Sequence, residues 1–216
     1  MESGPKFGPP ETPEEENELL MERNKYLLEH ISGQDKELAK AKEINGIDHL
    51  TGARNRQDFD KELDTSLKII RGEFEQRRSG EKLLDEVCVV LLDADHFKNV
   101  NDTYGHPVGD EVLRAIAMTL RENIRDIDMA ARWGGEEFAV LLKGVSLEKA
   151  SEIAEDLRQK IGEITIADHP DIKITASFGV ASSRSATEGR ELVKQVDDAL
   201  YAAKRSGRNR VVTFEE

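Results

Sequence analysis

Cysteine and aromatic residues are scarce in this sequence, which has one Cys and 5% Phe, Trp and Tyr among its 216 residues. A single Cys excludes a disulfide bond within the chain, which favours a reducing compartment such as the cytoplasm. No stretch approaches the roughly 18 consecutive apolar residues of a membrane-spanning helix. The acidic first residues also lack the positive and apolar regions of a signal peptide. The composition therefore predicts a cytoplasmic chain without membrane insertion.

Positive charge is in the minority, since 31 Lys and Arg residues stand against 44 Asp and Glu residues, for a net charge of −13. Such a chain repels the phosphate backbone of nucleic acids, so we expect no nucleic acid partner. If it binds a nucleotide, a metal ion and a few local cations must offset its negative field. Cys88 lies in the apolar run Val87–Leu92, which indicates a small buried hydrophobic side chain rather than a reactive thiol.

The first 47 residues differ in composition from the rest of the chain. Residues 1–13 are rich in Pro and lack periodicity, which predicts a disordered tail. Residues 14–47 predict a helical segment with an apolar seam at heptad spacing. The seam consists of Leu20, Asn24, Leu27, Ile31, Gln34, Leu38 and Ala41. Its polar members and Gly33 weaken the pattern, so the segment is either a coiled-coil dimer, which we favour, or a single solvated helix.

Residues 48–216 predict one α+β domain, an antiparallel sheet with flanking helices, because the elements alternate irregularly and include one hairpin. The predicted helices are Arg56–Arg78, Asp110–Arg125, Ser146–Ile161 and Glu191–Ser206. The predicted strands are Val87–Leu92, Ile127–Trp133, Glu137–Leu142, Ile172–Ser182 and Val211–Phe214. Between these elements, the polar stretch Asp93–Gly109 predicts a loop with at most one helical turn.

Acidic residues follow the apolar strand Val87–Leu92, at Asp93 and Asp95. A rigid strand that ends in carboxylates is suited to holding a divalent metal such as Mg²⁺. A second cluster, Gly134–Glu137, places two acids directly after a glycine turn that lets the backbone approach a ligand closely. If the strand after this turn runs antiparallel to the first, Asp93 and Glu136 converge into a metal site for nucleotidyl transfer. Taken separately, each cluster is more typical of solvated acids in a loop or hairpin.

Five motifs stand in order along residues 48–214. They are Asp48–Gly52, Asp93–Lys98, Asn101–Glu111, Arg132–Phe138 and Ala203–Asn209. Their order and spacing closely resemble the GGDEF family of diguanylate cyclases. The resemblance implies a palm-like domain, similar to nucleotidyl cyclases and polymerase palms, that condenses two GTP into cyclic di-GMP and releases pyrophosphate. The departures are Glu136, where many members have Asp, and Ala53, where Leu is usual; neither disables the site.

The resemblance also implies the metal site and the catalytic residues. Two Mg²⁺ or Mn²⁺ ions per active site would be held by Asp93, Glu136 and the backbone carbonyl of Ala94. Glu137 would be a further catalytic residue, which helps to remove the proton from the attacking 3′-hydroxyl group. His106 is less suited to act as the base, and we interpret it as a residue that shapes its loop.

The substrate-binding residues follow from the same resemblance. Asn101 and Asp110 match the pair that reads guanine, and a carboxylate can accept hydrogen bonds from guanine N1–H and N2–H₂, donors that adenine lacks. Gly134 and Gly135 form the turn that approaches the nucleotide. The groups that match the phosphate-binding residues of the family are Lys98, Lys204, Arg208 and the backbone N–H of Phe97.

Because each domain would hold one GTP, the resemblance implies a homodimer in which two domains face each other. The N-terminal helical segment would keep the domains at a high effective concentration. Arg125 and Asp128 match an Arg-x-x-Asp motif nine residues before the glycine turn, where the family binds its product cyclic di-GMP as an inhibitor. A local ion pair is the alternative for these two residues, and Arg158 is suggested as a third member of the inhibitory site.

Three other functions remain open from the sequence. The chain can be a catalytically silent receptor of GTP or cyclic di-GMP, although its metal carboxylates and its glycine turn are intact. It can be a hybrid cyclase that makes cyclic GMP-AMP, although such relatives often carry Ser where this chain has Asp110. It can also be a coiled-coil interaction module whose enzymatic domain is incidental.

Overall fold

The structure, a computed structural model, describes residues 46–73, 84–186 and 188–214. The predicted tail 1–13 lies outside these residues, and so does the predicted helical segment 14–47 except for its last two residues. Those two, Gly46 and Ile47, form a turn and a β-bridge to Arg54. The domain described below is the unit Gly46–Glu216.

Six strands and five helices make up the described part of this domain. In chain order they are β1 (Arg54–Asn55), α1 (Arg56–Arg71), β2 (Val87–Ala94), α2 (Phe97–Tyr104), α3 (His106–Glu122), β3 (Met129–Gly134), β4 (Glu137–Lys143), α4 (Leu147–Gly162), β5 (Ala176–Ser182), α5 (Gly189–Arg205) and β6 (Val211–Thr213). The strands form one sheet in the order β1-β3-β4-β2-β5-β6. The four inner strands are antiparallel, whereas β1 and β6 join as parallel edge strands. The predicted α+β fold with its antiparallel sheet is confirmed.

The central strand β2 is buried on both faces of the sheet, because successive side chains point to opposite faces. Cys88 and Leu92 belong to an apolar cluster shared with α3 and α4. Val87 and Leu91 belong to a second cluster shared with α1 and α5. By the same alternation, Asp93 emerges on the face covered by α1 and α5. The hydrophobic pattern of β2 therefore decides which helices stand beside the first acidic residue.

The region Asp93–Gly109 differs most from its prediction as a loop, because it contains all of α2 and the start of α3. α3 begins at His106 rather than at Asp110. Many Asn, Asp and Gly residues favour a loop by propensity, but the burial of Phe97 against the core stabilises α2. Gly105, with a φ of 86°, separates the two helices without steric cost. Tertiary packing has overridden local propensity here.

Other predicted boundaries shift by a few residues. α1 ends at Arg71 rather than at Arg78, since the N–H groups of Gly72 and Glu73 bond back to the last carbonyls of the helix. β5 begins at Ala176 rather than at Ile172. Sequence patterns do not predict β1, because two residues are too few to show a period.

The environment of Cys88 agrees with the expectation from composition. Cys88 is fully buried, and this burial, with the nearby charge of Glu86, raises the pKa of its thiol to about 12. A thiol that stays protonated at neutral pH is a poor nucleophile, so the prediction of a small buried hydrophobic side chain is confirmed. Among the described helices, none is long and apolar enough to cross a lipid bilayer.

Candidate active site

Most of the residues singled out from the sequence lie along one edge of the sheet, the edge that is formed by strand ends. β2 ends at this edge, the β3–β4 hairpin turns there, and β5 begins there. The segment after α5 reaches the same edge, since the carbonyl of Arg210 accepts a hydrogen bond of 2.8 Å from the N–H of Phe178 in β5. Residues that are far apart in the sequence therefore meet at the C-terminal end of β2.

The acidic residues of two strands lie side by side at this edge. Asp93 is directly opposite Glu137 in the pairing of β2 with β4, and opposite residues of antiparallel strands project from the same face. The carbonyl of Glu136 accepts a hydrogen bond of 3.3 Å from the N–H of Ala94. The antiparallel pairing assumed from the sequence is present, and it places Asp93 opposite Glu137 with the backbone of Glu136 beside Ala94.

Lys204 reaches this acidic cluster from α5, where its Nζ lies 2.8 Å from Oδ2 of Asp93. Burial raises the pKa of Glu137 above its ordinary value, and the negative charge of Asp93 adds to this effect while Lys204 opposes it. A carboxylate with a raised pKa accepts a proton more readily than an exposed Glu. The edge thus carries closely spaced negative charge that one lysine only partly offsets.

The oxygen atoms of this cluster fit a hard divalent cation. The carboxylates of Asp93 and Glu136 belong to segments that meet at the end of β2, together with the backbone carbonyl of Ala94. Mg²⁺ and Mn²⁺ prefer such ligands in combination with water and phosphate oxygens. In the part of the chain that the structure describes, no three His, Cys, Asp or Glu side chains form a closed metal cage. The oxygen donors at the end of β2 are thus of the type that Mg²⁺ and Mn²⁺ accept.

The glycine turn stands open at the tip of the β3–β4 hairpin. Gly135 has a φ of 51°, a conformation that side chains rarely adopt. Apart from the chain neighbours of each glycine, no atom of the described residues lies within 4 Å of the position that a Cβ atom would take at Gly134 or Gly135. The register of β3 against β4 shifts between Arg132 and Gly134, and such bulges re-aim the residues that follow them. The turn therefore offers bare backbone to a ligand.

Arg132 fixes the backbone of this turn. Its Nε and Nη2 donate to the carbonyl of Gly135 at 3.0 and 2.8 Å, and its Nη1 lies 3.3 Å from Oδ2 of Asp48. Burial raises the pKa of Asp48, but hydrogen bonds from Thr51 and Arg132 outweigh it and leave that pKa below its ordinary value. The sequence did not predict this bridge from Asp48 through Arg132 to Gly135. A signal for it is present, because Asp48 and Arg132 both belong to the five motifs named above.

The residues expected to read guanine lie on neighbouring helices, Asn101 on α2 and Asp110 on α3. A Cβ atom on Gly109 would lie 2.0 Å from Oδ1 of Asn101. The side chain of Asn101 therefore rests on the backbone directly before Asp110. Both side chains are partly exposed, so each can present hydrogen-bonding atoms to a ligand.

The groups expected to bind phosphates come from two helix ends. α2 begins at Phe97, and the N–H groups of Phe97 and Lys98 stand in its first turn, where a helix has no internal acceptors for them. At the other end of the site, Lys204 lies in the last turn of α5 and Arg208 follows the helix. The structure brings Lys204 onto Asp93, while Lys98 and Arg208 are exposed.

Arg125 and Asp128 lie before β3, at the end of that strand opposite the glycine turn. The guanidinium of Arg125 donates to both carboxylate oxygens of Asp128, at 2.8 and 2.9 Å. The side chain of Asp128 is 1% exposed and that of Arg125 is 49% exposed. Both residues line a cleft of about 540 Å³ that Arg54 and Arg121 also border. Arg125 and Asp128 thus form an ion pair, and the cleft beside them has room for a ligand. The two interpretations of the motif, as an ion pair and as a binding site, are therefore compatible.

Asp95 and Arg158 have partners that differ from those considered in the sequence. Asp95 accepts hydrogen bonds from Thr175, Ser177 and the N–H of Asn209, so its carboxylate is already bonded and is not needed among the metal donors. Arg158 donates to Oδ1 of Asn209 at 2.6 Å and does not line the cleft that contains the Arg-x-x-Asp motif. The suggestion that Arg158 completes an inhibitory site stays a prediction.

Known proteins that resemble this chain lead to one family. The family model "Diguanylate cyclase, GGDEF domain" matches residues 45–210. The chain is 39% identical over 180 residues to "Probable diguanylate cyclase DgcT" of Escherichia coli, with 81% of this chain and 37% of that protein covered. It is 38% identical over 200 residues to "Diguanylate cyclase VdcA" of Vibrio cholerae, with 91% and 55% covered. The chain thus spans about half or less of the length of these curated relatives.

A solved structure agrees with the family match. The crystal structure of the coiled coil and GGDEF domain of DgcB from Caulobacter crescentus, in complex with c-di-GMP, matches with a TM-score of 0.70 and 29% sequence identity. The match covers 90% of this chain and 98% of that one. Because the family model spans well over half of the sequence and the fold agrees, the chain belongs to the GGDEF domain family of diguanylate cyclases.

Proposed function

We propose that this domain condenses two molecules of GTP into cyclic di-GMP and releases pyrophosphate. The observation that carries the proposal is the meeting of Asp93, Glu137 and Lys204 beside the open glycine turn that Glu136 follows. Nucleotidyl transfer needs carboxylates for a metal, a cation for phosphate charge and bare backbone for close approach. The names of both curated relatives and the c-di-GMP bound in the DgcB structure support the same activity.

Guanine is the base that Asn101 and Asp110 suit. The carboxylate of Asp110 accepts from N1–H and N2–H₂ of guanine, and the amide of Asn101 supplies both a donor and an acceptor. Adenine would leave the carboxylate without a donor, and an unpaired charge in a closed site weakens binding strongly. We therefore expect GTP as the substrate and discrimination against ATP.

The phosphates of GTP lie, in this proposal, between the start of α2 and the end of α5. The N–H of Phe97 and the side chains of Lys98, Lys204 and Arg208 neutralise the β- and γ-phosphates. Two Mg²⁺ or Mn²⁺ ions held by Asp93, Glu136 and the Ala94 carbonyl would stabilise phosphate charge and acidify the 3′-hydroxyl. In this proposal Glu137, whose pKa is raised, accepts the hydroxyl proton.

Two copies of the domain are required for the complete reaction. The 3′-hydroxyl of each GTP attacks the α-phosphate of the other GTP and expels its pyrophosphate, so each domain supplies half of the site. Holding two such halves face to face lowers the entropic cost of the reaction. We propose a homodimer in which the segment 14–47, predicted from sequence to be helical, keeps the two domains together.

The test of the proposal is to identify the product formed from GTP. The full chain with Mg²⁺ is expected to convert GTP into cyclic di-GMP and pyrophosphate, to leave ATP unchanged, and to form no cyclic GMP-AMP from a mixture, as mass spectrometry can show. Binding of GTP without turnover at high protein concentration would contradict the proposal and favour a silent receptor. Cyclic GMP-AMP as the main product would favour the hybrid cyclase.

The proposed role of the N-terminal segment predicts a dependence on protein concentration. Deletion of residues 1–45 leaves the unit Gly46–Glu216, in which two domains must meet by diffusion. The activity per milligram should then rise steeply with protein concentration, whereas the full chain should show a much flatter dependence. Rates measured over a hundredfold dilution series of both proteins check this. Equal dilution curves would contradict a dimerising role for the segment.

Arg125 and Asp128 are proposed to bind cyclic di-GMP as an inhibitor. Arg offers forked bonds to phosphate or to a guanine edge, and the cleft beside the pair has room for a ligand. Replacing Arg125 with Ala should raise the inhibitor concentration for half-maximal inhibition by about tenfold or more, since a charge-assisted contact is lost. Initial rates over a range of added product check this. Since β3 separates the cleft from the catalytic turn, inhibition of the unchanged protein should lower kcat rather than raise KM.

The bridge from Asp48 through Arg132 to Gly135 predicts that Arg132 acts on catalysis through the glycine turn. In Arg132→Lys, the charge beside Asp48 remains but the fork on the Gly135 carbonyl is lost. We expect the rate of cyclic di-GMP formation to fall about 10- to 100-fold, because small displacements of reacting groups are costly. The matched control is Arg71→Lys at the exposed end of α1, which should keep its rate. A normal rate in Arg132→Lys would refute this role.

A further inference from the structure

The turn after α5 holds two residues in an unusual backbone conformation. Arg208 and Asn209 have φ values of 63° and 44°. Asn tolerates this left-handed conformation because its short side chain can bond locally, whereas a long side chain such as Arg rarely adopts it. Strain of this kind persists only where surrounding contacts enforce it, and it is concentrated at functional sites.

Hydrogen bonds hold the main chain of Arg208 on both sides. Its N–H donates to the carbonyl of Ala203 at 3.1 Å, and its own carbonyl accepts from Nε of Arg210 at 3.0 Å. The next N–H, that of Asn209, donates to Oδ2 of Asp95 at 3.0 Å. The exposed guanidinium of Arg208 thus extends from a fixed backbone.

Asp95 is a firm anchor for this turn. It is 9% exposed, and its carboxylate also accepts hydrogen bonds from the hydroxyl groups of Thr175 at 2.8 Å and Ser177 at 2.7 Å. Its own N–H donates to the carbonyl of Thr175 at 2.8 Å. The carboxylate and the backbone N–H of Asp95 therefore both bond to residues at the start of β5. The carboxylate oxygen that accepts from the N–H of Asn209 is thus held in place.

Arg158 holds the side chain of Asn209 from another helix. Its Nη1 donates to Oδ1 of Asn209 at 2.6 Å. Its Nε and Nη2 donate to the two carboxylate oxygens of Glu155, at 2.8 and 2.6 Å, one turn earlier on α4. The two bonds to Glu155 fix the plane of the guanidinium and thereby set the direction in which Nη1 points towards Asn209.

We propose that Asp95 and Arg158 are positioning residues that hold Asn209 and thereby direct Arg208 at the triphosphate of the substrate. Asp95, Arg158 and Asn209 are called the Asn209 clamp below. The inference rests on the proposed function, in which Arg208 binds the β- and γ-phosphates. The clamp fastens a segment after α5 to β5 on one side and to α4 on the other. The clamp explains why Arg208 adopts a left-handed backbone conformation that residues with long side chains rarely take.

The experiment measures nucleotide binding by the full chain with Mg²⁺, by calorimetry. 3′-Deoxy-GTP is the probe, since it lacks the hydroxyl that would react, and 3′-deoxy-GMP is the reference, since it lacks the β- and γ-phosphates. Arg158→Met and Asn209→Gly each remove the side-chain bond of the clamp, and Gly still permits the left-handed backbone. Each is expected to raise the Kd for 3′-deoxy-GTP about tenfold and to leave the Kd for 3′-deoxy-GMP within about twofold.

The control is Lys149→Met, which breaks the exposed ion pair of Lys149 with Glu152 on the same helix, α4, and should change neither Kd. In an Arg208→Ala background, Arg158→Met should cause no further loss, because residues that act through one another are not additive. Additive losses, or equal losses for both nucleotides, would overturn the positioning role and leave the phosphate role of Arg208 intact. If Arg208→Ala alone binds 3′-deoxy-GTP normally, the phosphate assignment fails and this inference fails with it.

Discussion

Replacing Glu136 with Gln should lower the rate of cyclic di-GMP formation by about a thousandfold, because a metal that stabilises phosphate charge contributes several kcal/mol to the transition state. The amide keeps the size of the side chain and removes its charge. Glu136 is partly exposed, and its carbonyl, which accepts from the N–H of Ala94, is unaffected by the change. The fold should therefore persist, which thermal unfolding of the variant can check.

The matched control for this prediction is Glu122→Gln. Glu122 is an exposed residue at the end of α3, roughly 18 Å along the helix from Asp110 at about 1.5 Å per residue. This variant should keep the rate of the unchanged protein. In Glu136→Gln, any residual activity should need a higher Mg²⁺ concentration for its half-maximum, since one anionic ligand is gone. A rate near that of the unchanged protein, with the usual Mg²⁺ requirement, would remove Glu136 from the metal site.

The central part of the site could be predicted from sequence in part. The hairpin signal at Gly134 indicates that β3 and β4 are antiparallel neighbours, and the apolar run of β2 indicates a buried strand. Neither pattern sets which strand lies beside β2, so the meeting of Asp93 with the acids of the turn rests on an assumed antiparallel pairing of β2 with β4. The structure has this pairing, with Asp93 opposite Glu137. Local patterns therefore predict the strands and the turn, whereas tertiary packing sets which strands are neighbours.

The supporting contacts could not be predicted in this way. Arg132 bonds to Asp48 across 84 positions of the chain, and the N–H of Asn209 bonds to Asp95 across 114 positions. Nothing in the periodicity near either residue sets such a partner, because each contact depends on how several elements pack. The same holds for Lys204 and Asp93, which meet only because α5 covers the face of the sheet from which Asp93 emerges.

The position of α5 therefore deserves its own test, and Gly179 provides one. This residue lies in β5 directly under α5, and a Cβ atom on it would come within 2.3 Å of the Val196 carbonyl oxygen and 2.4 Å of the Leu200 nitrogen. Both are backbone atoms, so the clash cannot be relieved by a side-chain rotation. The whole helix would have to move away from the sheet.

Gly179→Ala is expected to reduce the free energy of unfolding by about 3 kcal/mol, at the upper end of the usual cost of overpacking. It should also lower the rate of cyclic di-GMP formation, because α5 carries Lys204 to Asp93. The control is Gly162→Ala at the end of α4. Outside its own helix backbone and chain neighbours, no atom of the described residues lies within 4 Å of the position of a Cβ atom there, and stability should change by less than about 1 kcal/mol. Urea denaturation of the unchanged protein and the two variants measures the changes in the free energy of unfolding, and the rate of cyclic di-GMP formation is compared for the same three proteins. Equal stability of the two variants would mean that α5 is free to shift on the sheet, and the ion pair between Lys204 and Asp93 would then lose its structural basis.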